Sequence, residues 1–481
     1  MSGPIQDAMS AALDRHAGRA ALVGAEPVSY QGLRERIEAA ARSLGEVLPG
    51  TRHIGFCLAN GPGYVILYFA SLYAGHLPLL LDASFNTGEI EAIRSDCGLD
   101  ALVIEKARAE ALDIPGKDVP VPFGDEVVLL PLVRQQEPSF RARPSTQVCR
   151  FTSGTTGRPK CLEFSGEAVV SAARNWVLGT GMTERDRTLC LAALSNGLAF
   201  NTSLLSTFLA GGELHFLKGV PLTRPVARRL AESAITRLVA FPTLYRNFVA
   251  PGGPDPSAMA SLGHAISAGA PLWPDVREEF RSRYGLDISD YYGIAETGPV
   301  TFERDATHHA GLGKPLPGVE IRIAGDEGEV LVRTASMASG YLNHPGLFEK
   351  RLDADGFYHS GDRGRIVDGR LHLVGRTQDH INVAGRKIDP TEIVALVREL
   401  AGVKDAVAFA DEDLNREALV HLVVAGELTK AAVAAACRSR LAPWKVPGRI
   451  SFVDEIPRTG IGKPRIALLR EQLLQRKEPV G

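Results

Sequence analysis

The chain has almost no net charge, few cysteines and no unbroken apolar run of membrane length, and each shortage removes a class of protein. Its 54 Lys and Arg face 56 Asp and Glu, a formal net charge of −2. Without a basic excess there is no electrostatic footprint for nucleic acid. Six cysteines, at 57, 97, 149, 161, 190 and 437, form no C-x-x-C pair, which argues against a zinc site or a disulfide scaffold. They read as reduced, mostly buried thiols of a cytoplasmic protein. The most apolar stretch, Tyr64–Leu81, is broken by Gly75, His76 and Pro78. A membrane span needs about 20 mostly apolar residues, so a buried helix followed by a strand is expected instead. Asp7 and Asp14 stand where a signal peptide would carry its apolar run. Internal repeats and low-complexity tracts are also missing, as are the Walker A, G-x-S-x-G and H-E-x-x-H patterns.

What remains is globular. Hydrophobic residues make up 45% and charged residues 23% of 481 positions, enough for about three domains of roughly 150 residues. Over about the first 140 residues, and again from 186 to 292, helical and strand patterns alternate. That alternation predicts an α/β domain of mainly parallel sheets covered by helices. From 313 to 377, short segments such as VEIRIAG, GEVLVRT and RIVDGRLHLVG predict a small antiparallel β subdomain. A boundary follows Arg376, and Asp389-Pro390-Thr391-Glu392 opens a new helix with an N-cap, Pro at N1 and a capping-box Glu. Ile393, Leu396, Val397 and Leu400 continue it as an apolar stripe. The expected division is a large domain at 1–377 and a mobile α+β domain at 378–481.

Phe151-Thr-Ser-Gly-Thr-Thr-Gly-Arg-Pro-Lys160 is the most informative segment. Glycines let successive N–H groups approach an anion, while hydroxyls donate to phosphate oxygens and cations offset their charge. A phosphate cradle is expected. It lies between two strand-like runs, QVCRF and KCLEF, with a helix starting only after the N-cap Ser165. The loop is therefore a hairpin tip rather than a helix start, unlike the P-loop arrangement.

Here the sequence resembles the adenylate-forming enzymes: acyl-CoA and aryl-CoA synthetases, peptide-synthetase adenylation domains and firefly-type luciferases. Thr152, Ser153, Gly154, Thr155, Thr156, Gly157 and Lys160 match their phosphate loop, with Cys161 where the family usually has Gly. Tyr292-Gly293-Ile-Ala-Glu296 is similar to the family's Y-G-x-T-E. The resemblance implies that Tyr292 packs on adenine and Glu296 helps hold Mg²⁺ between ATP phosphates. Asp290 matches the acceptor of the adenine amino group, and Gly269, Ala270 and Pro271 the opposite wall of the purine. Asp362, in Tyr-His-Ser-Gly-Asp, matches the acceptor of the ribose hydroxyls, and Arg376 a ribose and phosphate contact. Gln378 occupies the hinge position and Gly385 the passage for a pantetheine arm. Lys463, in Pro-Arg-Thr-Gly-Ile-Gly-Lys, matches the catalytic lysine that bridges the acid and the α-phosphate.

The resemblance implies ATP-dependent activation of a carboxylic acid to an acyl-AMP with release of pyrophosphate. Transfer to the thiol of CoA or of an acyl carrier protein's phosphopantetheine then follows. An amine acceptor, or a silent nucleotide-binding module, are the alternatives. Members that take α-amino acids pair the ammonium with an Asp after the phosphate loop, but the stretch from Ala193 to Leu205 holds no acid. An unpaired buried ammonium costs several kcal/mol, which disfavours an amino acid. Asn196 aligns with an Asn that aryl-acid members use for a ring hydroxyl, and Tyr291 is bulky where many members have Gly or Ala. With Gly293 these line the expected pocket, for a small aromatic or short-chain acid.

Overall fold

The computed structural model describes residues 3–475 except 25, 84, 112–118, 121–126, 133–138, 153–158, 218–220, 309, 326–327, 377–380, 384–385, 389, 413–417, 442–444 and 460–463. The chain divides into two compact units, residues 1–321 with 332–358, and residues 322–331 with 359–481.

The first unit holds two large sheets. In one, His53–Cys57 lies parallel between Leu77–Leu80 and Ala101–Glu105, and Leu77–Leu80 runs parallel to Thr146–Thr152. These strands read as continuous apolar runs because helices cover both faces. The helix Pro62–Tyr73, started by a proline in its first turn, is buried along most of its length and leads to the strand Leu77–Leu80. This is the expected helix and strand. In the second sheet Glu213–Phe216, Arg187–Cys190, Arg237–Ala240, His264–Ala268 and Ile288–Ile294 run parallel. Gly298–Phe302 then folds back antiparallel. The helix Gly166–Thr180 is capped by the Ser165 hydroxyl, which accepts from Ala168 N, and buries Val169, Ala172, Ala173 and Trp176. Such a cap contributes about 1 kcal/mol.

In the second unit, Tyr358–Val367 and Arg370–Arg376 form an antiparallel hairpin across an Asp368-Gly369 turn, both residues at positive φ. Val403–Glu412 pairs antiparallel with Ala418–Gly426, which pairs parallel with Arg449–Val453. Period-two alternation gives this sheet two apolar faces. Ala406, Leu422 and Val424 meet the helices Pro390–Arg398 and Lys430–Arg440, while Val407, Phe409 and Val423 meet Leu469 of the helix Ile466–Gln475. Asp389, the expected N-cap, lies outside the described residues. No helix among the described residues is long and apolar enough to cross a membrane.

Candidate active site

The two strands that flank the expected phosphate loop pair with each other, as their sequence patterns predict. Thr146–Thr152 and Lys160–Ser165 pair antiparallel with Thr152 opposite Lys160. Ser153, Gly154, Thr155, Thr156 and Gly157 lie outside the described residues. The returning leg is clamped by a distant side chain. Asn343 accepts from Cys161 N through Oδ1 at 2.8 Å and donates Nδ2 to Pro159 O at 2.9 Å. Cys161 sits in extended strand opposite Phe151, its thiol buried in an apolar cluster with Cys97 and Cys149. A side chain is therefore accommodated where the family usually has Gly.

Parallel α/β sheets bind ligands at the carboxyl ends of their strands. Ala268 is paired with Tyr291, so Gly269, Ala270 and Pro271 leave their strand beside Tyr292. Tyr292 is buried, whereas Gly269 and Pro271 are exposed. Asp290, on the same strand, is buried and receives Arg277 Nη2 at 2.5 Å. Burial pushes the Asp290 carboxyl up to about 6, against the pull of the Arg277 guanidinium. Glu296 follows the end of the strand Ile288–Ile294, and its Oε1 accepts from the Tyr341 hydroxyl at 2.6 Å. Burial and the Glu296 charge hold the Tyr341 phenol well above its ordinary range, keeping it a donor. Glu296 Oε2 makes no hydrogen bond among the described residues.

Asn196, Tyr291 and Gly293, the residues expected to line the acid pocket, lie near one unforeseen side chain. Asn196 caps a short helix, its Oδ1 accepting from Leu198 N at 2.8 Å. The Tyr291 ring meets Trp176 edge-on with centroids 4.8 Å apart. A Cβ on Gly293 would stand 2.6 Å from the Tyr291 hydroxyl and 2.7 Å from Gly298 O, so only glycine fits there. Arg150, which the sequence reading passed over, is buried between Phe164 and Phe200, its Cζ 4.1 Å and 5.1 Å from their ring centroids. Nη2 donates to Ala295 O at 3.3 Å.

In the second unit, Asp362 is buried, and its strand position pairs with position 376 across the hairpin. Gln378, Gly385 and Lys463 lie outside the described residues.

No cluster of three or more His, Cys, Asp or Glu side chains able to hold a metal stands among the described residues. A single half-buried carboxylate with one unpartnered oxygen nevertheless fits Mg²⁺, which keeps waters and phosphate oxygens as its other ligands. Fold and residues together fit an AMP-binding enzyme. The chain belongs to the AMP-binding enzymes: that family matches residues 9–342, and the AMP-binding enzyme C-terminal domain matches 392–463. A feruloyl-CoA synthase from Amycolatopsis sp is 27% identical over 92% of this chain and 93% of its own length. A probable CoA ligase, CCL9, from Humulus lupulus is 27% identical over 98% and 96%. ATP-bound MatB from Rhodopseudomonas palustris shares the fold with a TM-score of 0.85, at 21% identity, covering 98% of this chain and 100% of that one.

Proposed function

We propose that this chain adenylates a small aromatic or short-chain carboxylic acid and passes the acyl group to the thiol of CoA or of a carrier-protein phosphopantetheine, in the cytoplasm. The observation that carries the reading is Glu296, fixed by Tyr341 at a strand end beside the adenine wall, with one carboxylate oxygen left for a cation. The relatives named for CoA ligation support the acceptor, and the feruloyl-CoA synthase supports an aromatic acid.

In the first step a carboxylate oxygen bonds to the α-phosphorus while the α–β bridging bond breaks and pyrophosphate leaves. Such chemistry needs positioning and charge neutralisation rather than a nucleophilic side chain. Thr152 and Lys160 open and close the loop that cradles the phosphates, and Glu296 would hold Mg²⁺, which offsets phosphate charge when bound. Asp290 and Tyr292 orient the adenine, and Asp362 and Arg376 the ribose. Lys463 lays its ammonium between the acid and the α-phosphate, where one compact cation serves two anions. For the second step the small domain, beginning at 378, turns about Gln378, withdraws Lys463 and opens the pantetheine passage at Gly385.

Exchange of labelled pyrophosphate into ATP, screened over a panel of carboxylic acids, tests the reading. Acid-dependent exchange is expected, and its absence with every acid would refute adenylation. Lys463→Ala is expected to lower exchange on the order of 10²-fold or more while leaving thiolation of supplied acyl-AMP largely intact. Equal loss in both half-reactions would remove Lys463 from its role. CoA, carrier protein and amines scored against the best acid identify the acceptor.

A further inference from the structure

Among the described residues the Arg150 cation meets two aromatic rings but no ion-pair partner. Its residue is 4% exposed, and neither Nε nor Nη1 has a hydrogen-bond partner among the described residues. Its partner for Nη2 is a peptide carbonyl, Ala295 O. Glu296 adds negative charge to its surroundings without forming an ion pair. Burial depresses the guanidinium to about 10, so it stays charged at neutral pH. Leaving such a charge uncompensated costs several kcal/mol, and buried polar groups left open in this way are explained by a missing partner.

The surroundings indicate where that partner sits. Arg150 and Thr152 share one face of their strand, so the guanidinium lies one step below the start of the phosphate loop. Gly197 leaves it room, since a Cβ there would stand 2.8 Å from Nη1. A further unused donor lies beside it: the buried Tyr68 hydroxyl, which interacts electrostatically with Arg150, lacks a partner among the described residues. A buried guanidinium with two open nitrogens and a neighbouring phenol, all without acceptors among the described residues, describe a socket for an anion.

We propose, resting on the adenylation reading above, that the acid is a short dicarboxylate whose non-reacting carboxylate is held by Arg150. The reacting carboxylate is a poor candidate for this partner. It loses its charge on becoming an acyl phosphate, which would strand the guanidinium in the intermediate. A second carboxylate keeps its charge through both half-reactions. Arg suits the task because its planar fork takes both carboxylate oxygens. Tyr291, its ring edge-on to Trp176, adds bulk near the guanidinium and keeps the spacer short.

The test compares kcat/KM for acid-dependent pyrophosphate exchange between matched pairs: propionate with malonate, butyrate with succinate, benzoate with the phthalate isomers. The wild-type chain is expected to favour a dicarboxylate over its monocarboxylate partner by about 10- to 100-fold. Arg150→Met is expected to remove that preference, chiefly through KM for the acid, and Arg150→Lys to retain part of it. Preference for monocarboxylates in the wild type would overturn the assignment, a ranking that stands even if Arg150→Met does not fold. So would an equal loss on both members of a pair in Arg150→Met, which would place the guanidinium on the reacting carboxylate or a phosphate. Absence of exchange with every acid would instead remove the adenylation reading itself.

Discussion

Arg277 and Asp290 show how a buried pair sets a pH dependence. The folded pKa of Asp290, about 6, lies above its ordinary value of 3.8 because burial penalises the charged form. The folded chain therefore binds this proton more tightly than the unfolded chain, so between those values stability falls as pH rises. Adenine recognition runs the other way, because a protonated carboxyl loses acceptor capacity. On the proposed contact, KM for ATP rises as pH falls through about 6. Asp290→Asn, which keeps a carbonyl acceptor, flattens that profile; an unchanged slope in the variant would assign the pH effect elsewhere.

Four residues that shape the site, Arg150, Arg277, Tyr341 and Asn343, carry no signal in the linear sequence. Arg150 reads as one polar position in a strand, and its site neighbour Ala295 is 145 positions away. Asn343 reaches back 184 positions to Pro159, and Tyr341 reaches 45 to Glu296. Such roles exist only once the sheets have brought the partners together. The loop, Glu296 and Asp362 stand out as candidates because each sits in a dense local motif. The backbone pairing of positions 362 and 376 is a consequence that the motifs do not state.

Elements were easier to read than side-chain partners. The Ser165 cap, the apolar helix Pro62–Tyr73 and the strand ending at Ile294 follow from turn residues and periodicity that act within a few positions. On that last strand, Tyr291 and Gly293 point to the same face, and the Tyr291 hydroxyl lies where a Cβ on Gly293 would go. On the proposed reading, the strand sets the depth of the acid pocket with a single ring. Tyr291→Gly is expected to shift the preferred acid toward longer chains, seen as a several-fold gain in kcat/KM for a homologue two or three carbons longer. The change also removes a ring packed on Trp176, so a loss of about 3–5 kcal/mol in stability accompanies it. Retention of the original length preference would mean that another element closes the pocket.

At the scale of the molecule, the cysteines agree with the reading from their spacing. All six are free and buried. Cys57, Cys149, Cys161, Cys190 and Cys437 are each raised above the ordinary thiol range; at Cys149 a hydrogen bond with Cys161 pulls the other way and burial outweighs it, and at the other four burial is the largest cause. A thiol dye is therefore expected to label the native chain slowly and incompletely, and all six positions in guanidinium. Rapid labelling of one site without denaturant would reveal local opening of its core.

The supports of the Glu296 carboxylate and of the strand that returns from the proposed phosphate loop are close neighbours late in the chain. Tyr341 steadies Glu296 and Asn343 clamps the leg that returns from the loop. A chain growing on the ribosome will therefore expose the whole loop and the carboxylate well before either brace has been synthesised. Nucleotide capture by the nascent chain should await emergence of residue 343. A fragment trimmed at 342, where the match to the family's main domain stops, would keep every signature residue up to that point and still lose the brace on its loop.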